Sequence, residues 1–552
     1  MTVVDHLPRR INQSCMAGFN PSDLSIIIPT RDRWDVLRRT LRALRNQTVS
    51  GFEVLVVVDG TDQTVPADIG ARTIVKEHGG PGAARNAGVA ASDRRLVLFL
   101  GDDMVPQTDL VERHVDAHDL HPEDETAVLG RIDPHPQARG RLNRWMMWSG
   151  TQFDYQGITG SEAGFGRFYS SNVSLKRHQF EAVGGFDEDF VYYYEDLDMG
   201  WRLHSKAMTL LYQPRAVAKH LHPLDWPGVV RRFQGIARGE RLMAAKHDWF
   251  TPWFAARARA LAGGERFGWW WPTLVDLVPP RFAKLRAAGE RRADALYYRR
   301  LAPYFFDAWE GERDLEELKE YLGPSFNLMR LRDHMGEVMR ELQHVGDESA
   351  FYRSSEAYLY DLTVFAMSAT KVPYRNVLRG LVPPEGRLLD WGCGIGSDGL
   401  RLIDDGYDVT FTDFDNPSTK YLRWRLERRG ISAPVYDLDT DDIPGGFDAA
   451  YSFDVLEHVD DPLASLEQLE RRARIVVVNL VESEPGDPHP HHDLAIPALL
   501  KRAAARGLFH YRRYYGGRVH LVAYRGSDSG PQRSRLRSEL ARRAGRLLPS
   551  AR

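Results

Sequence analysis

The chain has 552 residues, a formal net charge of −3, 43% hydrophobic and 27% charged residues, and two cysteines, Cys15 and Cys393. Such a length calls for roughly three to four domain-sized units, and the composition excludes disordered and fibrous classes. Near-balanced charge gives no bulk attraction to nucleic acid. Two cysteines without a CxxC pair exclude a disulfide framework and argue against structural zinc, and no run of about 18 apolar residues could span a bilayer. The opening MTVVDHLPRRINQSC lacks the apolar core of a signal peptide, so a cytoplasmic protein is expected.

LSIIIPT (24–30), EVLVVVDG (53–60), RTIVKE (72–77) and RRLVLFLGDD (94–103) read as strands rich in β-branched residues. WDVLRRTLRAL (34–44) has apolar residues at helical spacing, and PGAARNAGVAA (81–91) reads as a small-residue helix. Strands alternating with helices predict an α/β fold with a largely parallel sheet, whose ligands sit at the carboxyl ends of the strands. Asp59 and the pair Asp102–Asp103 fall at two such ends. Two adjacent carboxylates repel unless a cation, a proton or solvent relieves them. A divalent metal against a diphosphate is the functional reading and a solvated helix cap the structural one.

In GGFDEDFVYYYEDLDMGWRL (184–203), Glu195, Asp196 and Asp198 open an amphipathic run. Acids in a first helical turn suit the macrodipole, but Tyr192, Tyr193 and Tyr194 just before them could wall a sugar site. AKHLHP (218–223) places His220 and His222 on one side of an extended segment. Residues 224–350 read as long charged helical stretches containing FGWWWP (267–272), whose tryptophans suit interdomain packing or a membrane interface. A second βα pattern begins at GRLLDWGCGIGSDGLRLIDDG (386–406), and an arginine-rich tail closes the chain.

In order, SIIIPTRDR, VVVDGTD, GGPGAARNAG, FLGDDMVP, GGFDEDFVYYYEDLDMGWRL and KHLHP resemble the blocks of family 2 inverting glycosyltransferases. The resemblance implies a GT-A fold, a nucleotide-sugar donor with UDP preferred and dTDP its rival, and Mg²⁺ or Mn²⁺. It implies Asp59 at the donor base, Arg85 and Asn86 near the diphosphate, Asp102 on ribose or metal, and Asp103 as metal ligand with His220 or His222. Asp196 is then the general base, supported by Glu195. Gly101 stands where many relatives carry a third aspartate, and VVVDGTD is one residue short of the usual block. Both departures weaken the donor assignment.

LLDWGCGIGSDGL (388–400) alone suits any nucleotide-binding βα turn, including one for a nicotinamide cofactor. Together with VTFTDFD (409–415), the LEHV block and PHPHHDL (488–494), it resembles class I S-adenosylmethionine-dependent methyltransferases. That resemblance implies Asp390, Gly392, Gly394 and Gly396 along the methionine part of S-adenosyl-L-methionine, Asp413 on the ribose and Asp437 near the adenine. His458, His491 and His492 are candidate bases, with a family-architectural role or metal binding that includes His489 as alternatives.

The expected architecture is two Rossmann-like α/β domains joined by a mainly helical segment: 22–250 glycosyltransferase, 251–349 helical connector, 350–525 methyltransferase, 526–552 flexible basic tail. The expected function is sugar transfer to a glycan, lipid-linked or small-molecule acceptor, followed by O-methylation of the product glycan. No nucleic acid is expected as a partner, and peripheral contact at the inner membrane face is a further option. Two alternatives stand beside it: a methyltransferase with a degenerate sugar domain, and a tailoring enzyme acting on a secondary-metabolite aglycone.

Overall fold

The computed structural model describes residues 18–61, 63–191, 193–262, 273, 275, 277–483, 492 and 494–527. FGWWWP, Tyr192, His489, His491 and the tail beyond residue 527 lie outside them. Contacts divide the chain into two compact units, Met1–Ala302 and Pro303–Arg552. The division falls inside one helix, Ala283–Leu322, at Pro303, so residues expected as one connector are shared between the two units.

The first unit holds an eight-stranded sheet in the order β3-β2-β1-β4-β7-β6-β8-β5. Its strands are β1 (Leu24–Thr30), β2 (Glu53–Asp59), β3 (Arg72–Lys76), β4 (Leu96–Leu100), β5 (Met104–Pro106), β6 (Thr126–Pro134), β7 (Asn172–Lys176) and β8 (Thr209–His220). β3, β2, β1 and β4 run parallel, as predicted. Beyond β4 the sheet is mixed, because β7 runs antiparallel to both β4 and β6.

Period-two patterning covers both faces of this sheet. Ile26 and Ile28 of β1 pack with Leu37, Leu41 and Leu44 of helix α1 (Trp34–Arg45), while Ile27 faces Ala84 and Val89 of helix α2 (Gly80–Ala90). Each of these isoleucine, leucine and valine side chains contributes about 1.5–3 kcal/mol on burial. The small residues of α2 have a steric reason: a Cβ at Gly88 would stand 2.4 Å from Ile27 Cγ2. Helices α3 (Leu110–Leu120), α4 (Arg141–Trp148), α5 (Arg177–Ala182), α6 (Glu195–His204), α7 (Trp226–Lys246) and α8 (Trp253–Ala262) complete the elements used below.

The second unit holds a seven-stranded sheet in the order β11-β10-β9-β12-β13-β15-β14. These are β9 (Arg387–Trp391), β10 (Asp408–Asp413), β11 (Val435–Asp437), β12 (Ala449–Ser452), β13 (Ile475–Val481), β14 (His510–Tyr514) and β15 (Val519–Arg525). The first five run parallel, and β15 is antiparallel to β13 and β14. Residues 303–322 join this unit through a buried charge network: Asp314 and Glu317 meet Arg425 and Arg429 with side chains at most 3% exposed. Two α/β domains with a mainly helical stretch between their sheets is the architecture expected. Among the described residues no helix is long and apolar enough to cross a membrane.

Candidate active sites

In each sheet the chain reverses winding direction between two neighbouring parallel strands, β1/β4 in the first and β9/β12 in the second. The loops leaving such a pair diverge and open a crevice at their carboxyl ends. Each crevice is a measurable cleft.

The first has a volume of about 520 Å³ and is lined by Asp59, Arg85, Asp102, Asp103, Glu195, Asp196, His220 and His222 among others. Eight of the nine glycosyltransferase residues singled out in the sequence therefore converge. Asn86 is the exception. Its side-chain amide donates to the Phe186 carbonyl and Glu188 (both 2.9 Å) and its oxygen accepts from Phe186 N–H (2.8 Å), so it ties α2 to the 186–188 loop.

Asp102 and Asp103 follow β4 and are bridged by Arg33, which sits 3.1 Å from Asp102 Oδ1 and 2.6 Å from Asp103 Oδ2. Thr30 Oγ1 donates to Asp102 at 2.8 Å. Burial and the Asp103 charge push the Asp102 carboxyl up to about 6. Burial would raise Asp103 too, but His220, His222 and Arg33 hold it well below the usual range. His220 Nε2 and His222 Nδ1 lie 3.2 and 3.3 Å from the same Asp103 oxygen, and their rings are stacked. Both histidines thus reach Asp103. The three ligand atoms lie within 4.8 Å of one another, a donor set that fits one divalent cation. Such a cation would share Asp103 with Arg33 or displace it.

Asp59 ends β2 and accepts from the N–H groups of Gly79 (2.9 Å) and Gly80 (2.8 Å), from Lys76 Nζ (3.2 Å), and lies 2.8 Å from His78 Nδ1. It fastens the entry of α2 to the sheet edge. On the opposite wall α6 begins at Glu195, after Tyr194 in a left-handed conformation (φ 81°). Tyr194 Oη donates to Glu240 of α7 at 3.0 Å, and Glu240 also accepts from Phe254 and Ala255 N–H at 2.7 and 2.8 Å. The buried Glu240 carboxylate thereby fixes the turn that presents the next two acids.

Glu195 meets Arg85 Nη1 at 3.2 Å, and burial with the neighbouring Asp196 charge pushes its carboxyl up to about 7. Asp196 Oδ2 accepts from Ser170 N–H at 3.0 Å, and the Ser170 hydroxyl stands beside the same carboxyl. Burial raises Asp196 as well, against the pull of Arg85. A carboxyl raised by burial in a cleft is placed to take a proton. Arg33, Ser170 and Arg232 were missed by sequence reasoning. Arg33 lies inside the quoted PTRDR block; Ser170 and Arg232 carry no local signal.

The second cleft, about 490 Å³, is lined by Asp390, Gly392, Cys393, Gly394, Asp413, Phe414, Lys371, Phe453, Val455 and His458 among others. Gly392, Gly394 and Gly396 all have positive φ, and a Cβ would stand 2.7 Å from Val455 at Gly392 and 2.3 Å from Leu422 at Gly396. The Gly394 N–H donates to Asp413 Oδ2 at 2.7 Å and the Phe414 N–H to Oδ1 at 2.8 Å. Burial pushes Asp413 up to about 6, and burial with the nearby Asp398 charge pushes Asp390 up to about 8. The buried Tyr451 hydroxyl stands beside the Asp390 carboxyl. A glycine cradle with two buried aspartates, Asp390 and Asp413, fits S-adenosylmethionine.

Gly396 and Asp437 do not line this cleft. Gly396 is spent on packing, and Asp437 accepts from Asp439 N–H (3.1 Å) and Thr440 Oγ1 (2.9 Å), leaving Leu438 on the wall. His458 does line it, with Nδ1 2.8 Å from Tyr352 Oη. His492 lies off the lining, 3.5 Å from Glu348, which is 4.0 Å from His458.

Comparison with known proteins agrees with this division. Curated relatives include a pre-mycofactocin glycosyltransferase of Mycobacterium tuberculosis (strain CDC 1551 / Oshkosh), 29% identical over 224 residues, covering 38% of this chain and 46% of the relative. A validoxylamine A glucosyltransferase of Streptomyces hygroscopicus subsp. jinggangensis (strain 5008) is 28% identical over 225 residues, covering 34% of this chain and 52% of the relative. The chain thus spans about half the length of the curated relatives it matches. Among solved structures, S. aureus TarS 1–349 in complex with UDP aligns over 52% of this chain and 91% of that one, at 15% identity and a TM-score of 0.31. Residues 25–172 match the family model described as glycosyl transferase family 2, and residues 389–475 one described as a methyltransferase domain. This chain carries a family 2 glycosyltransferase domain followed by a methyltransferase domain.

Proposed function

We propose that the first domain transfers a sugar, with inversion, from a nucleotide-sugar donor to an acceptor hydroxyl, and that the second O-methylates using S-adenosylmethionine. The observation that carries the first half is that one cleft brings the Asp196 carboxyl together with Asp103, His220 and His222. The acceptor oxygen attacks the anomeric carbon from the face opposite the diphosphate, its proton passes to the Asp196 carboxylate, and the bond to the leaving diphosphate breaks. Arg85 opposes the rise that burial gives Glu195 and Asp196. A divalent cation on Asp103 and the two histidines would offset charge on the departing diphosphate, and imidazole donors favour Mn²⁺ over Mg²⁺. UDP is the preferred nucleotide, with dTDP its rival.

In the second domain, S-adenosylmethionine would supply an electrophilic methyl group. Asp413 holds its ribose, Asp390 its cationic end, and His458 takes the proton of the attacking hydroxyl. Tyr352 sets the orientation of that imidazole. One chain carrying both activities raises the concentration of the first product at the second site, which supports the glycosylated product as the methyl acceptor.

The test is a thermal-shift panel on the full chain with UDP, dTDP and GDP, each with and without Mn²⁺, and with S-adenosylhomocysteine. A ligand at a hundred times its Kd stabilises the folded state by roughly 2.7 kcal/mol. A Mn²⁺-dependent shift with one nucleotide and a separate shift with S-adenosylhomocysteine support both halves. A shift with S-adenosylhomocysteine alone overturns the first half.

A further inference from the structure

Leu277, Phe282 and Leu285 are 75%, 50% and 55% exposed, and no other nine-residue stretch among the described residues exposes three large hydrophobic side chains. They flank the short 3-10 turn Pro280–Phe282 that leads into the helix Ala283–Leu322. Two to four turns on, the same helix is anchored in the first unit. Ala293, Tyr297, Tyr298 and Leu301 are buried, and Asp294 accepts from Trp145 Nε1 of α4 at 2.9 Å. The Trp145 ring packs on Tyr297 and Tyr298 with centroids 4.5 and 6.0 Å apart. Packing thus holds this part of the helix and leaves its first turn in solvent. Single exposed apolar side chains are ordinary, but three within nine residues mark a contact surface.

The charges around these side chains select the contact. From Leu277 to Gly289 the sequence contains Arg281, Lys284 and Arg286 and no acid. Arg286 is paired with Glu290 at 3.0 Å, whereas Arg281 and Lys284 form no ion pair among the described residues. The Arg281 guanidinium lies 5.2 Å over the Phe282 ring, so charge and aromatic surface are presented together. A twofold pairing with a second copy would set these cations against their own counterparts, which repel. A bilayer containing anionic phospholipid complements both features at once, with phosphates for the cations and acyl chains beneath them for the apolar groups.

We propose that Leu277, Arg281, Phe282, Lys284 and Leu285 form a docking surface for an anionic phospholipid bilayer, which holds the first unit on the membrane without crossing it. Phe282 and the two leucines enter the boundary between headgroups and acyl chains. Arg281 and Lys284 stay at the level of the phosphates while their aliphatic stems lie along the apolar layer.

The test is co-sedimentation of the full chain with vesicles of phosphatidylcholine alone and of equal parts phosphatidylcholine and phosphatidylglycerol, at low and high salt. The wild type should bind the phosphatidylglycerol vesicles, and high salt should weaken that binding. R281Q/K284Q should lower the partition coefficient by about fivefold for each charge removed. F282S/L285S should lower it by roughly tenfold or more. All four side chains are largely in solvent, so thermal denaturation of both variants should match the wild type. Each variant keeps the arginine-rich tail, so binding that survives both substitutions places the contact elsewhere and overturns the proposal. Absence of binding to phosphatidylglycerol vesicles overturns it, as does equal binding to the two kinds of vesicle. A dimer in sedimentation velocity that F282S/L285S dissolves would assign the surface to a second copy and overturn it too.

Discussion

The two nucleotide-sized clefts occupy equivalent places in their sheets and both are rich in aspartate raised by burial, yet their key acids are given different neighbours. In the first, Arg33 bridges Asp102 and Asp103, Arg85 meets Glu195, and Lys76 meets Asp59. In the second, Asp390 and Asp413 are buried with little opposing charge, and burial pushes them up to about 8 and 6. Its buried Lys371 is held by Asp398 and Asp454. A cleft whose acids are already paired suits a ligand that is itself an anion accompanied by a metal. A cleft in which Asp390 and Asp413 form no ion pair among the described residues suits a ligand that brings positive charge, as a sulfonium amino acid does. The difference teaches that two clefts at the same place in a sheet can be set for ligands of different charge by the neighbours each carboxylate is given.

The comparison can be broken most severely at Asp196. Asp196→Asn leaves the fold of α6 and removes the proton acceptor, so the turnover of sugar transfer should fall by about 10²- to 10⁴-fold, measured as nucleotide release. S-adenosylhomocysteine binding to the same variant should not move. A variant within tenfold of wild type would remove Asp196 from the base role.

Next in size is Asp103→Ala, which takes away the carboxylate shared by His220, His222 and Arg33. The Mn²⁺-dependent part of the UDP thermal shift, roughly 2.7 kcal/mol at a hundred times Kd, should disappear. A Mn²⁺-dependent shift that survives would place the cation elsewhere. In the second cleft Asp413→Ala removes both the ribose acceptor and the brace on the Gly394 N–H. Charged hydrogen bonds of about 1.5–3 kcal/mol translate into a loss of roughly 10- to 150-fold in S-adenosylhomocysteine affinity, read by calorimetry.

The strand ends and the acids on them were legible before any coordinates, because β-branched runs bounded by glycine and aspartate carry a local signature. Asp59, Asp102, Asp103, Asp390 and Asp413 all follow or end such runs. What could not be read were partners contributed from elsewhere in the chain. Arg33 reaches acids about 70 positions away, Arg232 comes from a helix whose periodicity says only that it packs, and Glu240 fixes Tyr194 across 46 residues. Motif matching also carried residues too far at Asn86, Gly396 and Asp437, each of which stands within a motif but spends its bonds or its missing Cβ on neighbouring chain. Position in a block reports proximity to a site, whereas lining the cleft depends on which way the local turn faces.

The smallest effect separates the two clefts most directly, because it asks only about protons. With Asp390 near 8 and Asp413 near 6, a fraction of this cleft's acid is protonated at neutral pH before any ligand arrives. A ligand that presents an ammonium group and ribose hydroxyls favours the carboxylate forms, so binding must expel protons. Affinity for S-adenosylhomocysteine should therefore rise with pH between 6 and 9, by at most about tenfold per unit for each proton released. Calorimetry in two buffers of different ionisation heat reads the release directly, and Asp390→Asn should reduce it. The sign follows from the raised carboxyls: lowering the pH leaves more of them neutral and forces the ligand to displace a proton it would otherwise not meet. Binding that strengthens as the pH falls would mean that Asp390 does not face the ligand's cationic end, and the contrast between the clefts would then rest on burial alone.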